Sequence, residues 1–284
     1  MKKPQIKLFI GAVLFCLYAF SAQAQKLPKV QKNSVYAPAD IKTDGKPMEW
    51  GKFQAYNRAT QVYYTMANDD ANLYLAMQAK YSDVINRIMG GGVVLSIQQS
   101  TDKDDKNKIS ITYPIYDTPN TPGLTFNLGH HSVRLINAET GVVTQTTIDT
   151  SAKEINITMN MRNHLISQRL KWIGVKGVKG IDTLISIYNG DGIKAVSLID
   201  KNEVYTLEMA VPLKYLNLSG DNRSKFTYHL QINGIRGING GFGNIVGSPE
   251  VVQKIMQQPA FIEGVSRRTA ITDFWGEYKL ADKH

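Results

Sequence analysis

Apolar and polar residues alternate along this chain in short runs separated by turn-forming clusters. Residues 61–66 (QVYYTM) and 73–79 (LYLAMQA) flank Asn68-Asp69-Asp70-Ala71-Asn72, and in the second run Leu73, Leu75 and Met77 alternate with Tyr74, Ala76 and Gln78. A period of two places one set of side chains on one face, and Asn and Asp side chains cap tight turns, so this segment predicts a hairpin with one buried face. Gly90-Gly91-Gly92 opens a run over 93–97, and the charged stretch 101–108 (TDKDDKNK) reads as a solvated hairpin tip leading into 109–113. Further strands are predicted over 132–137, 142–148, 183–188, 195–199, 204–211 and 226–232, several of them divided by Gly, Asn and Asp turns. Helical patterning is confined to 82–89, a stretch around 161–170, and 249–257, the last bracketed by Pro249 and Pro259. Many short strands at turn-punctuated spacing predict an all-β fold, an antiparallel β-sandwich with a few short helices.

The N-terminus departs from this pattern. Lys2, Lys3 and Lys7 precede an apolar run over 8–20, and Ala22-Gln23-Ala24 supplies small residues beyond it. That order reads as a signal peptide cleaved after Ala24, and the run is shorter than the roughly twenty residues needed to cross a bilayer. The expected organisation is a signal peptide over 1–24, a loosely ordered leader over 25–38 and one β-sandwich domain over 39–284, in an exported protein, periplasmic or secreted, that does not span the membrane.

Composition removes several classes of chemistry. The single cysteine, Cys16, lies in the signal segment, so the mature chain has no disulfide, zinc–thiolate site or cysteine nucleophile. Loss of the three leading lysines takes the formal charge from +9 to +6, and the remaining basic residues are scattered, which argues against nucleic acid as a partner. A mildly basic exported protein suits anionic glycans or envelope surfaces.

Five segments carry a family resemblance. These are 41–50 (IKTDGKPMEW), 66–77 (MANDDANLYLAM), the 93–97 strand with its hairpin and Tyr113-Pro114, 205–213 (YTLEMAVPL) and 273–280 (DFWGEYKL). In this order they resemble the β-sandwich of family 9 carbohydrate-binding modules and related exported bacterial domains. The resemblance implies a non-catalytic carbohydrate-binding domain, with a poly- or oligosaccharide as partner and no cofactor, that assists glycan capture or degradation. In that family the sugar lies between tryptophan faces. Trp50 and Trp275 fall inside scaffold segments and are expected in the core, which leaves Trp172 as the exposed aromatic.

The expected ligand site joins Trp172, Tyr113 and Tyr116 to the glycine-rich loop 237–247, where Arg236, Asn239, Phe242 and Asn244 offer charge, hydrogen bonds and a stacking face. The same loop also reads as a plain flexible connection. Its glycines miss the spacing of a dinucleotide fingerprint.

No catalytic set emerges. Asp69-Asp70 and Asp102, Asp104 and Asp105 sit in turns, and Glu208, inside an apolar strand, is free to point outward. His130-His131 point to opposite faces of an extended segment, while His164 and His229 have no ligand-spaced partner, so no metal site is predicted. A haem held by Met66, Met159 or Met161 with His164 has no pairing that the sequence selects. Two rival readings are a glycoside hydrolase-associated enzyme and an envelope protein that contacts other proteins without binding sugar.

Overall fold

The alternating runs pair as antiparallel strands, and their apolar faces meet between two sheets. The computed structural model describes residues 26–99, 107–116, 124, 126, 128, 132–136, 143–147, 152–216, 218, 225–235 and 248–283. In chain order the strands are β1 (Ala55–Asn57), β2 (Val62–Asn68), β3 (Asn72–Ala79), β4 (Val93–Gln98), β5 (Ile109–Ile115), β6 (Ser132–Ile136), β7 (Val143–Thr147), β8 (Trp172–Lys176), β9 (Leu184–Ser186), β10 (Lys194–Ile199), β11 (Tyr205–Pro212), β12 (Lys225–Ile232) and β13 (Thr272–Lys279). The helices are α1 (Ser82–Gly91), α2 (Ala152–Arg169), α3 (Pro249–Met256) and α4 (Pro259–Thr269).

One sheet has five strands in the order β1-β2-β3-β11-β10, the other six in the order β13-β12-β4-β5-β8-β9, and β6-β7 form a separate ribbon. The fold is therefore an all-β sandwich. Its core takes Tyr64, Met66, Leu75, Met77, Leu207 and Met209 from the first sheet and Leu95, Ile97, Ile111, Phe226, Tyr228 and Leu230 from the second. The hydroxyls of Tyr64 and Tyr228 meet across the sheets at 2.9 Å, and the N–H of Gln31 also donates to Tyr64, so these deeply placed polar atoms are satisfied.

Residues 26–38 do not form the loose leader that their polarity suggested. Strand β1 covers only Val62, Tyr63 and Tyr64 on the β2 edge. Gln31 takes over at Met66, accepting its N–H at 2.7 Å and donating to its carbonyl at 2.8 Å. Further along, Val35 and Ala37 hydrogen-bond the backbone of Asn68. The arm thus supplies the partners that an edge strand would otherwise leave open.

The outer face of the five-stranded sheet is also covered. Trp50, Ala37, Ala67, Tyr74, Ala76 and Ala210 form a second apolar cluster, with Val35, Ile41 and Phe53 packed against it. Three alanines on the sheet keep its surface shallow enough for the chain over 35–53 to approach. Glu208 points to this outer face, as alternation allowed, but is 1 % exposed because the covering segment lies on it. Its carboxylate accepts the backbone N–H groups of Asp44 and Gly45 at 2.9 and 2.8 Å and the indole N–H of Trp50 at 2.7 Å. Gly45 holds φ +80°, and a side chain there would also strike Leu198, so the turn that aims these N–H groups requires glycine. Burial pushes the Glu208 carboxyl up, against the pull of its Trp50, Gly45 and Asp44 donors.

One helical boundary differs from the sequence reading, and one helix is additional to it. Gly90 and Gly91 end α1 instead of opening β4, and Gly91 packs so tightly on Gly234 that any side chain would collide with its carbonyl. Pro259 lies just past the end of α3, as read, and also begins a further helix, α4, that the sequence reading did not include, at a position where its missing N–H costs nothing. Among the described residues no helix is long and apolar enough to cross a membrane.

Candidate functional site on the outer sheet face

Whereas the five-stranded sheet is covered on both sides, the outer face of the six-stranded sheet carries an open trough of about 690 Å³. That volume lies in the range typical of small-molecule sites, roughly 300–1,000 Å³. Strand register builds its floor. His229 lies opposite Trp275 on one side and Ser96 on the other, Ser96 opposes Ser110, and Ser110 opposes Lys176. One continuous cross-strand row therefore reads Trp275–His229–Ser96–Ser110–Lys176. The neighbouring row runs Asp273–Gln231–Val94–Thr112–Gly174.

The local sequence explains why this face is polar. On β12, Phe226, Tyr228, Leu230 and Ile232 go inward, which turns Thr227, His229 and Gln231 out. On β4 the inward set Val93, Leu95 and Ile97 leaves Val94, Ser96 and Gln98 on the other side. Gly276 between Trp275 and Glu277 faces the core, where the ring of Tyr228 occupies the space a side chain would need.

The rings of Trp275 and His229 stack with centroids 4.3 Å apart and planes 12° from parallel. His229 Nε2 lies 2.6 Å from Asp273 Oδ2, so a carboxylate on the same face fixes the imidazole against the indole. Ser96 and Ser110 exchange a hydrogen bond at 2.8 Å. Gln231 donates to Asn233, whose amide in turn donates to the Gly91 carbonyl, an arrangement that orients Gln231 and leaves its Oε1 to accept from a ligand. The trough thus offers a rigid aromatic wall, hydroxyls able to donate and accept, oriented amides and, at the far end, Lys108 and Lys176.

Trp275 was expected in the core and is instead half-buried on this outer face, because it is Phe274, Gly276 and Tyr278 that alternate inward along β13. Trp50 is buried, although in the cluster under the covering segment. Trp172 lies on the same face as Gly174 and Lys176, since Ile173 and Val175 go inward; it is half-buried opposite Ile115, which lines the trough, but does not itself line it. Tyr113 does not join it: at 2 % exposure its ring belongs to the core, its hydroxyl donates to the Leu170 carbonyl, and burial pushes that hydroxyl up to about 12. Tyr116 is also tied to the scaffold, donating to the Met89 carbonyl and accepting from the Leu124 N–H. Arg236, Asn239, Phe242 and Asn244 lie outside the described residues, as do His130 and His131. The signal that could have marked His229, Ser96 and Ser110 was alternation itself, polar residues recurring at every second position of otherwise apolar strands.

A second cavity, about 630 Å³, opens at one end of the sandwich around Asn68, Asp69, Asp70, Asp282 and Lys283. Its polar groups are largely occupied. Asn68 holds Ala281 and Tyr278, while Asp69 accepts from Ala71, Asn72 and Tyr74. Against the upward push of burial, the Tyr74, Ala71 and Asn72 donors hold the Asp69 carboxyl below its ordinary value. Among the described residues no aromatic side chain lines this cavity. Among the described residues no group of three or more His, Cys, Asp or Glu side chains could hold a metal ion.

Among the described residues the trough shows neither of two arrangements that particular hydrolases use. A glycosidase places two carboxyl groups about one bond, whereas Asp273 is the sole carboxylate among the described residues lining the trough. A serine hydrolase needs N–H groups aimed at the developing oxyanion, yet β12, β4 and β5 are interior strands whose N–H groups lie in the sheet plane.

No family model matches the chain, and comparisons with curated proteins and with solved structures return no match.

Proposed function

We propose that this chain is a non-catalytic carbohydrate-binding protein whose ligand lies on the outer face of the six-stranded sheet. The observation that carries the reading is the cross-strand row from Trp275 through His229 to Ser96 and Ser110. Sugar rings present C–H faces that pack on aromatic walls and hydroxyls that need directed partners, and this row supplies both within one open trough. An open trough also suits an extended chain better than a closed pocket does. The resemblance of five segments to family 9 carbohydrate-binding modules supports the ligand class. The basic, apolar and small-residue order over 1–24 supports delivery outside the cytoplasm, where glycans are met.

Affinity electrophoresis through gels holding a panel of soluble glycans tests the reading. At least one glycan should retard the native protein, Trp275→Ala should migrate as in a glycan-free gel, and no reducing ends should be released. Retardation by none of the panel, or release of reducing ends, would overturn it.

A further inference from the structure

We infer that the corner of the five-stranded sheet around Tyr56 and Tyr63 is a docking surface for an acidic, aromatic-bearing polypeptide segment of a partner protein. This surface is separate from the trough and stands whether or not the trough binds carbohydrate.

The rings come together through register. Tyr56 and Tyr63 are directly opposed on β1 and β2, and both point outward because Ala55, Asn57, Val62 and Tyr64 take the inward positions. Their ring centroids lie 4.6 Å apart, and Phe53 adds a third ring 6.4 Å from Tyr63. The segment that covers this sheet runs out at Phe53, so Tyr56 and Tyr63 lie half-buried beyond its end. Tyr81, 56 % exposed, stands beside them. Burial, followed by the Tyr81 and Tyr63 phenols, pushes the Tyr56 hydroxyl up against the pull of Arg58, which places Tyr81 and Arg58 at the same spot.

Charge selects the partner. Segments 28–29, 52–63 and 78–81, which build the corner, contain Lys29, Lys52, Arg58 and Lys80 and no Asp or Glu. All four cations are exposed, and among the described residues none is ion-paired with a carboxylate. Tyrosine and arginine are residues on which binding energy concentrates in protein interfaces, and carboxylates on a partner complement the cations around them. The form of the corner favours a polypeptide over other anions. Its rings pack on one another with planes tilted by 40° and 46° and lie half-buried, instead of projecting as membrane anchors do. Lys80 Nζ stands 4.8 Å over the Tyr63 ring, on the surface that a sugar would need bare. The Tyr56 N–H donates to the Pro28 carbonyl, so the partner is held by side chains rather than by strand addition.

The test is a two-dimensional NMR titration of the full chain at low salt with a peptide of repeated Glu-Phe-Asp-Gly, its neutral counterpart with Gln and Asn for the acids, and its counterpart with Ser for Phe. Vesicles of phosphatidylglycerol and phosphatidylethanolamine and an oligogalacturonate hexasaccharide are titrated alongside. The acidic aromatic peptide should shift the amides of Tyr56, Arg58, Tyr63, Lys80 and Tyr81. It should bind about ten-fold more tightly than either counterpart, and its preference over the neutral peptide should shrink as salt is added. Arg58→Glu combined with Lys80→Glu should remove that preference, and Tyr81→Ser should weaken binding several-fold. These positions are exposed, so thermal unfolding of the variants should match the parent. Trp275→Ala, altered in the trough, should bind the peptide as the parent does. Binding of none of the peptides, equal binding of acidic and neutral peptides, shifts confined to other residues, or tighter binding of vesicles or hexasaccharide at this corner would each overturn the inference, and none of these results bears on the trough.

Discussion

The indole N–H of Trp50 donates to Glu208 Oε1 at 2.7 Å, joining positions 158 residues apart. The same carboxylate accepts the backbone N–H groups of Asp44 and Gly45, so one buried acid anchors the segment that covers the five-stranded sheet. Glu208→Ala leaves these donors without a partner. At about 1–3 kcal/mol for each buried unsatisfied group, the domain should lose about 3–5 kcal/mol in denaturant unfolding.

The same carboxyl sets a pH dependence. Its folded-state value lies above the ordinary 4.5, so the folded chain binds this proton more tightly than the unfolded chain does. Its contribution to stability is therefore greatest below the ordinary value and is lost as pH rises through the raised folded value. Urea unfolding followed from about pH 4 to pH 7 should show this fall in the parent, and Glu208→Gln should lack that component. An identical pH profile in the two proteins would contradict the assignment.

Trp50 and Trp275 should separate under truncation. Trp50 is buried under the covering segment and Trp50→Ala should cost about 3–5 kcal/mol. Trp275 stands half-buried against His229, and Trp275→Ala should cost about 1 kcal/mol, the scale of a lost aromatic stack. Thermal unfolding of both variants checks the difference, and equal losses would place Trp275 in the core after all.

Gln31 acts as a substitute strand residue at the β2 edge. Gln31→Ala removes both of its side-chain hydrogen bonds to Met66 and should destabilise the domain by about 1–3 kcal/mol. Hydrogen exchange should quicken at the Met66 amide first, since that N–H has Gln31 as its acceptor; unchanged protection there would show that the arm does not hold the edge.

The sandwich was legible because strand alternation and turn chemistry are local signals. Leu73, Leu75 and Met77 declare their buried face within a few residues, and Asn68 to Asn72 declare the turn. The scaffold segments around Asp44-Gly45, Trp50 and Glu208 were visible as well, yet their meeting was not, because it joins residues more than a hundred positions apart through the layering of a segment on a sheet. The faces taken by Trp275 and Tyr113 differ from the sequence reading for a related reason. Trp275 lay within a scaffold-like segment and was assigned to the core on that basis, whereas the residues beside it, Phe274 and Tyr278, take the inward positions. Tyr113 follows the same rule in reverse, since its place after Ile109 and Ile111 puts it on the inward face. His229, Ser96 and Ser110 come from separate strands and become neighbours only through register, which no single segment encodes.

The most direct test of the outer-face site is a two-dimensional NMR titration of the uniformly labelled protein with a glycan that retards it in the gel. The account predicts the largest chemical-shift changes at the Trp275 indole N–H and at the amides of His229, Ser96 and Ser110, with Asn68, Asp69 and Ala281 at the sandwich end unmoved. Shifts confined to that end, with the row on β13, β12, β4 and β5 unchanged, would contradict it.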